Sequence, residues 1–176
     1  MSDDAIKDVL LDALDVNAEG IDYENLSLEA LILLINTERL KHLQEKTEKE
    51  FKELRERQDK VKELHDILKA INAATKDDGK LDISKNEELQ AKIERAKELG
   101  ADIPDDKTKF NREERDRMVE NIRMTIEDMN VQNDMQLQTI SRLTNERYES
   151  YQMARSILKP LHEAKSSLAR GIRGAS

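Results

Sequence analysis

Residues 40–71 read LKHLQEKTEKEFKELRERQDKVKELHDILKAI. Leu40, Leu43, Thr47, Glu50, Leu54, Arg57, Val61, Leu64, Leu68 and Ile71 fall on successive a and d positions of a heptad repeat, and only Glu50 and Arg57 are neither apolar nor Thr. Most of the remaining residues are Glu, Lys, Arg or Gln. A 3,4 spacing of apolar side chains puts them on one narrow stripe of an α-helix, which is buried only if a second helix lies along it. Glu50 and Arg57 interrupt the stripe, and Phe51, one place off it, is expected to help cover the gap.

Working outward, no Gly or Pro occurs between Gly20 and Gly79. Asn25 or Ser27 can cap a helix that opens with the apolar block Leu26, Leu28, Leu31, Ile32, Leu33, Leu34 and Ile35. A block apolar on nearly every side is expected to be buried among several neighbours. The spacing predicts one helix over about 26–74, on the order of 70 Å long at about 1.5 Å per residue. Lys76-Asp77-Asp78-Gly79 ends it. Ser84 followed by Glu87 is a capping-box pattern and Gly100 suits a helix C-terminus, which predicts a short helix over about 84–99. Ile103-Pro104-Asp105-Asp106 is a second break.

Asn111 and Glu114 offer another capping pair. A second heptad series follows: Val119, Ile122, Ile126, Met129, Asn133, Gln136, Ile140, Leu143, Arg147, Ser150, Ala154, Ile157, Leu161, Ala164 and Leu168. Leu137 and Tyr151 lie beside its polar interruptions. This helix is expected over about 111–170, with a kink at Pro160, which removes a backbone donor. Two long helices joined by so short a connector return antiparallel if they pair. The sequence therefore implies an all-α chain whose two long antiparallel helices form a coiled-coil hairpin. Its parts are an acidic N-terminal segment (1–24) with a short helix over 5–14, a first long helix (25–75), a connector (76–110) with a short helix, and a second long helix with the C-terminal tail (111–176). The connector leaves little room for a globular domain. Polar residues at a and d sites fix register at a cost in stability, and they also suit contact with helices of another subunit. The seam residues with the strongest claim to coiled-coil or assembly contacts are Leu40, Leu43, Leu54, Val61, Leu64 and Leu68 on the first helix. On the second they are Ile122, Ile126, Met129, Ile140, Leu143, Tyr151, Ala154, Ile157, Leu161 and Leu168.

Composition agrees with such a fold. Charged residues make up 39% of the chain and aromatics 3%, too few large apolar side chains for an ordinary compact core. The net charge of −8 argues against nonspecific nucleic-acid binding. That charge is unevenly spread. Asp3, Asp4, Asp8, Asp12, Asp15, Glu19, Asp22, Glu24 and Glu29 face Lys7 alone in residues 1–30. Arg142, Arg147, Arg155, Lys159, Lys165, Arg170 and Arg173 outnumber Glu146, Glu149 and Glu163 in residues 142–176. Ends of opposite sign can attract within one chain or between neighbours, and they equally suit two solvated faces. There is no cysteine, hence no disulfide or thiolate site, and no 18-residue apolar run that would span a membrane. No secretory signal peptide is evident, which leaves export by a route without a cleaved signal.

Motifs for chemistry are not found. With Gly79 at position 6 of an EF-hand loop, Ala74 would take position 1 and Lys85 position 12, so both acidic ligands are missing. His42, His65 and His162 form no metal-binding spacing. No phosphate loop, nucleophile elbow or Cys/His pair occurs, so no enzyme, cofactor or metal is expected.

The stretch QLQTISRLTNERYESYQMARSILKPLHEAKSSLARG (136–171) is poorer in charge and richer in Ser, Thr, Gln, Met and Tyr than residues 40–70, a surface suited to close protein contact. Here the sequence resembles the EspA-type filament proteins of bacterial type III secretion systems. The resemblance lies in Leu143-Thr144-Asn145-Glu146-Arg147, preceded by Met135 and Leu137, and in Ser166-Ser167 and Gly171 near the C-terminus. A second matching segment is Gly20-Ile21-Asp22, then Leu26, Leu28, Leu31 and Ile35, then Glu38-Arg39. The two cover roughly both long helices and leave out the connector. The resemblance implies two long antiparallel helices and self-assembly into a hollow extracellular filament that joins the secretion needle to a translocation pore in the host membrane. It implies as partners further copies of the chain, the needle and pore proteins, and a cytoplasmic chaperone before export. It makes Leu143, Ala154, Ile157, Leu161 and Leu168 assembly or hairpin contacts. The acidic, amphipathic start and the short, charged middle depart from that family's pattern. A needle-tip protein with the same coiled coil, and a cytoplasmic coiled-coil adaptor or chaperone, are the alternative readings.

Overall fold

The computed structural model describes residues 27–174. The expected 5–14 helix and the Asn25 cap lie outside them. Ser27 opens the first helix, α1 (Leu28–Ala74), by accepting the Ala30 amide on its hydroxyl at 3.2 Å. The helix ends where the sequence turns to Lys-Asp-Asp-Gly. Lys76 and Lys80 close a tight turn, Asp78 accepts the Lys80 amide, and Gly79 takes a φ of +81°. A β-carbon on Gly79 would stand 2.8 Å from the Arg112 Cγ, so both the backbone conformation and the space exclude a larger residue.

Two short strands follow that the sequence reading did not anticipate. β1 (Leu81–Asp82) pairs antiparallel with β2 (Lys109–Phe110), Leu81 opposite Phe110. The pleat turns both of these inward and leaves Asp82 and Lys109 in solvent. Between the strands lies α2 (Glu87–Glu98). Its cap is not Ser84 but Asn86, whose Oδ1 accepts the Leu89 amide at 3.0 Å. Asp82 has already taken both the Ser84 amide and the Ser84 hydroxyl, so the Ser84–Glu87 capping box does not form and the helix starts later. At the other end Gly100 (φ +104°) and Ala101 donate to the carbonyls of Lys97 and Ala96, the paired bonds of a Schellman motif. The last helix, α3 (Arg112–Gly174), runs on through Pro160. Asn111 and Glu114 cap it reciprocally: each amide donates to the other's side chain, at 3.0 and 2.9 Å.

The described chain is thus mostly helical, and α1 packs on α3. It divides into two compact units, Phe51–Gln138 and the remainder, Met1–Glu50 with Thr139–Ser176. The first unit holds the larger core. Leu64, Ile67, Leu68 and Ile71 of α1 and Met118, Val119, Ile122 and Ile126 of α3 close on Leu81, Ile83, Leu89, Ile93, Ala96, Ala101, Ile103 and Phe110. Half of that core comes from residues 76–110. The connector, expected to have little room for a globular part, is a small packed head. Gln90 donates to the Ile83 carbonyl at 2.6 Å and Asn121 to that of Asp102 at 2.7 Å, which ties its loops to the helices. Arg95 forks onto the Glu63 carboxylate at 2.9 and 3.3 Å, joining α2 to α1, but the pair is too exposed to contribute much.

The second unit packs Leu33 and Ala154 together, with Leu34, Ile157 and Leu158 at their edge. Asn36 of α1 donates to the Ser150 carbonyl of α3 at 2.8 Å, and Arg147 donates to Gln44 at 3.1 Å.

Ile122 is wholly buried, so Ile122→Ala should cost about 2–5 kcal/mol. Val131→Ala, at an exposed site, should stay within about 0.5 kcal/mol. Chemical denaturation distinguishes the two. Hydrogen bonds from Lys107 and then from the Asn111 amide hold the Glu114 carboxyl below its ordinary value. A lowered folded-state pKa stabilises above the ordinary glutamate range and is lost as pH falls through the lowered value. The wild-type chain should therefore lose stability across that acid window by more than Glu114→Gln does, in denaturation series at stepped pH.

Candidate interaction surface

The seam residues divide by how they are buried. Leu40, Leu43, Leu54, Leu64, Leu68, Ile122, Ile126, Ile140, Leu143 and Ala154 are buried. Val61, Met129, Tyr151 and Ile157 are half-buried. The Leu161 side chain lies outside what is described, and Leu168 is 69% exposed. Phe51 does not cover the polar gap beside it. It stands 51% exposed, as does Leu137 at 46%, because a residue one place off a two-helix seam points along its rim.

The gap is filled by polar side chains instead. In the unit formed by Phe51–Gln138, the Arg57 guanidinium donates to Gln136 Oε1 at 2.6 Å and to Asn133 Oδ1 at 3.3 Å. Gln136 returns its amide N–H to Glu53 at 3.2 Å. Asn133 and Gln136 are both buried, so this layer holds its groups only in one register. In the other unit Asn36 and Ser150 are buried together. Asn36 is bonded to the Ser150 carbonyl, while the Ser150 hydroxyl has no partner.

What the seam leaves outside is more informative than what it buries. Ala30, Leu33, Asn36, Leu40 and Leu43 face inward on α1. Leu28, Leu31, Ile32 and Ile35, spaced i, i+3, i+4 and i+7, form a continuous apolar stripe on the outer face and are 37–68% exposed. The sequence placed this block among several neighbours. Among the described residues, α3 supplies a neighbour for one side only. Met153, at 51%, and Tyr148, at 63%, are exposed on α3 in the same unit. Scattered exposed apolar residues are ordinary, but a stripe at helical spacing matches the way one helix meets another.

No protein-family model, curated protein or solved structure matches the chain. Its chemistry must be read from its own side chains. Among the described residues no three His, Cys, Asp or Glu side chains gather to hold a metal. His42, His65 and His162 are exposed. A pocket beside β2, between Lys107, Phe110, Glu114, Arg117 and Asn121, measures about 110 Å³, and an open one between Ala70, Ala74, Asn86, Leu89 and Lys92 about 350 Å³, at the lower end of the roughly 300–1,000 Å³ of ligand pockets. No described helix is long and apolar enough to cross a membrane.

The two polar layers predict shifts of opposite sign. Gln136→Ala removes both an acceptor and a donor from a buried network and should cost about 1–3 kcal/mol. Ser150→Ala removes an unpartnered hydroxyl while keeping the carbonyl that Asn36 uses, and it should leave stability unchanged or raise it by about 1 kcal/mol. Urea midpoints at constant slope measure both.

Proposed function

We propose that the chain is a structural subunit of a type III secretion system, of the EspA type, that self-assembles into an extracellular hollow filament linking the needle to the translocation pore. The observation that carries this reading is the exposed stripe Leu28, Leu31, Ile32 and Ile35. Its apolar surface is stabilised only when something covers it, and further helices of other copies supply matching surface. The resemblance of residues 20–39 and 135–171 to the EspA-type proteins supplies the biological setting, and the stripe falls inside the first of those segments.

In this reading α1 and α3 form a coiled-coil hairpin. The cross-helix bonds support it: contacts run from Asn36 to Ser150 and from Gln44 to Arg147 in one unit, and from Arg57 to Asn133 and Gln136 in the other. In the first of these, residue numbers rise along α1 as they fall along α3, the sense of an antiparallel pair. The polar layers set its register, and the stripe recruits the next subunit. The function is non-enzymatic. Its partners are other copies, needle and pore proteins, and a cytoplasmic chaperone that covers the stripe before export. The protein is then extracellular, with a chaperone-bound pool inside the cell.

The packed head favours a second reading, a needle-tip protein. A globular part between the two coiled-coil helices suits a tip better than a filament shaft, and residues 76–110 supply half of such a core. The third reading, a cytoplasmic adaptor, has no observation of its own.

Charge on the stripe separates these readings. Leu28→Glu combined with Ile35→Glu should abolish sedimenting polymer while leaving monomer helicity and melting nearly unchanged, because both positions are exposed. Polymer that forms equally well with both substitutions rules out the stripe as the assembly contact. Small closed oligomers of the wild-type chain, in place of open polymer, favour the tip.

A further inference from the structure

One side of the Phe51–Gln138 unit is bare. Glu53 bonds Gln136 and Arg57 bonds Asn133, so residue numbers fall along α3 as they rise along α1. Two antiparallel helices that share a seam turn their heptad e and b positions to one side and their g and c positions to the other. The head takes the g and c side. Ile67 and Met118, both at g, are buried in its core, while Glu63 and Asn121, both at c, bond to Arg95 and to the Asp102 carbonyl. On the opposite side every e and b side chain from Phe51 to Lys69 and from Glu120 to Leu137 is exposed.

That bare side is sorted by charge. Along its middle, at e positions, stand Phe51, Gln58, Asn130 and Leu137, none of them charged, with His65 and Arg123 closing the end nearer the head. Phe51 and Leu137 lie within a turn of one level and are 51% and 46% exposed. Solvated flanks of a two-helix seam are ordinarily charged, and an uncharged flank suits burial against another protein. The margins, at b positions, are charged and separated by sign. Arg55, Lys62 and Lys69 line the α1 margin, and Glu120, Glu127 and Asp134 line the α3 margin. None of the three acids makes an ion pair among the described residues. Lys62 and Lys69 bridge to Asp59 and Asp66 of their own helix, in exposed pairs that contribute little.

We infer that a second copy of the chain docks on this side, related to the first by a two-fold axis running along the helices. That rotation sets α1 of each copy over α3 of the other and leaves every residue at its own level. The levels are fixed by the Glu53–Gln136 and Arg57–Asn133 bonds. Arg55 then faces Asp134 of the second copy, Lys62 faces Glu127, and Lys69 faces Glu120, once in each direction. Phe51 and Leu137 of both copies close an apolar cluster at one end, with Gln58 beside Asn130 next to it. A two-fold axis across the helices would lay α1 on α1 and base on base, which the charged columns disfavour. The product is a four-helix layer in which neighbouring helices are antiparallel. Its margins stay in water, so the association weakens as salt rises. The inference does not rest on the secretion reading, and it uses none of the residues of the Leu28–Ile35 stripe.

Sedimentation equilibrium tests it on the full chain carrying Leu28→Glu and Ile35→Glu. With the stripe already charged, the readout is the same whether or not that surface assembles. A dimer at low salt, dissociating as salt rises, is expected. Reversing the basic column (Arg55→Glu, Lys62→Glu, Lys69→Glu) should give monomer, and so should reversing the acidic one (Glu120→Lys, Glu127→Lys, Asp134→Lys). An equimolar mixture of the two reversed chains should dimerise again, because each offers the column the other has lost. The absence of cysteine allows a second reading that needs no charge change. Chains with Gln58→Cys should cross-link under mild oxidation to chains with Asn130→Cys faster than either cross-links to itself. A monomer before any reversal overturns the inference, as does a dimer that survives either reversal. Reversed chains that stay monomeric when mixed, or cysteines that prefer their own kind, overturn the pairing of α1 with α3.

Discussion

The small core around Ile71, Phe110 and Ile122 is the constraint on which the rest depends. Two helices as charged as α1 and α3 bury only a narrow stripe on each other, and the conformational entropy of ordering so long a chain opposes their pairing. The core changes this locally. It gathers side chains from α1, β1, α2, β2 and α3, and it brings the C-terminal end of α1 to the N-terminal start of α3. Once these ends are held, the seam within the Phe51–Gln138 unit closes beside a contact already made, which lowers the entropic cost of each later pair there. Gly79 belongs to the same constraint, because its left-handed turn against Arg112 is the step by which the chain leaves α1 and enters β1.

Away from the core the two helices hold each other with less. The Arg57–Asn133–Gln136 layer contributes direction more than free energy, since hydrogen bonds in a seam exchange for bonds to water at little net gain. Its value is that a displaced register would strand a buried amide or a guanidinium. Asn36 and Ser150 act similarly in the other unit, although there one hydroxyl stays without a partner. Polar layers of this kind keep a long seam from sliding. Among the described residues nothing covers the outer face of α1. On α1 the stripe from Leu28 to Ile35 is as apolar as the seam behind it, and it is exposed.

The long helices were legible because heptad spacing is a strong signal repeated over many turns, and their caps at Ser27 and Asn111 follow from local side-chain chemistry. The short strands were not, since two residues carry no measurable alternation. Ser84 misled because its amide and its hydroxyl both donate to one Asp82 oxygen, an engagement that sequence spacing does not show. The connector looked charged because its apolar residues, among them Leu81, Ile83, Ile93 and Ile103, are spread singly between polar ones; only folding brings them together. Among the seam residues, Leu64 and Ile122 could be read from period alone. Leu168 has the same period and is exposed, because heptad spacing shows which face seeks a partner and not whether the chain provides one.

The central claim is that the exposed stripe on α1 is covered by further copies of the chain. Negative-stain electron microscopy of the purified full-length chain, concentrated and incubated at physiological salt, tests it most directly. Long filaments of uniform width are the expected result. A chain that stays monomeric at the highest attainable concentration, with no filaments in any field, contradicts it.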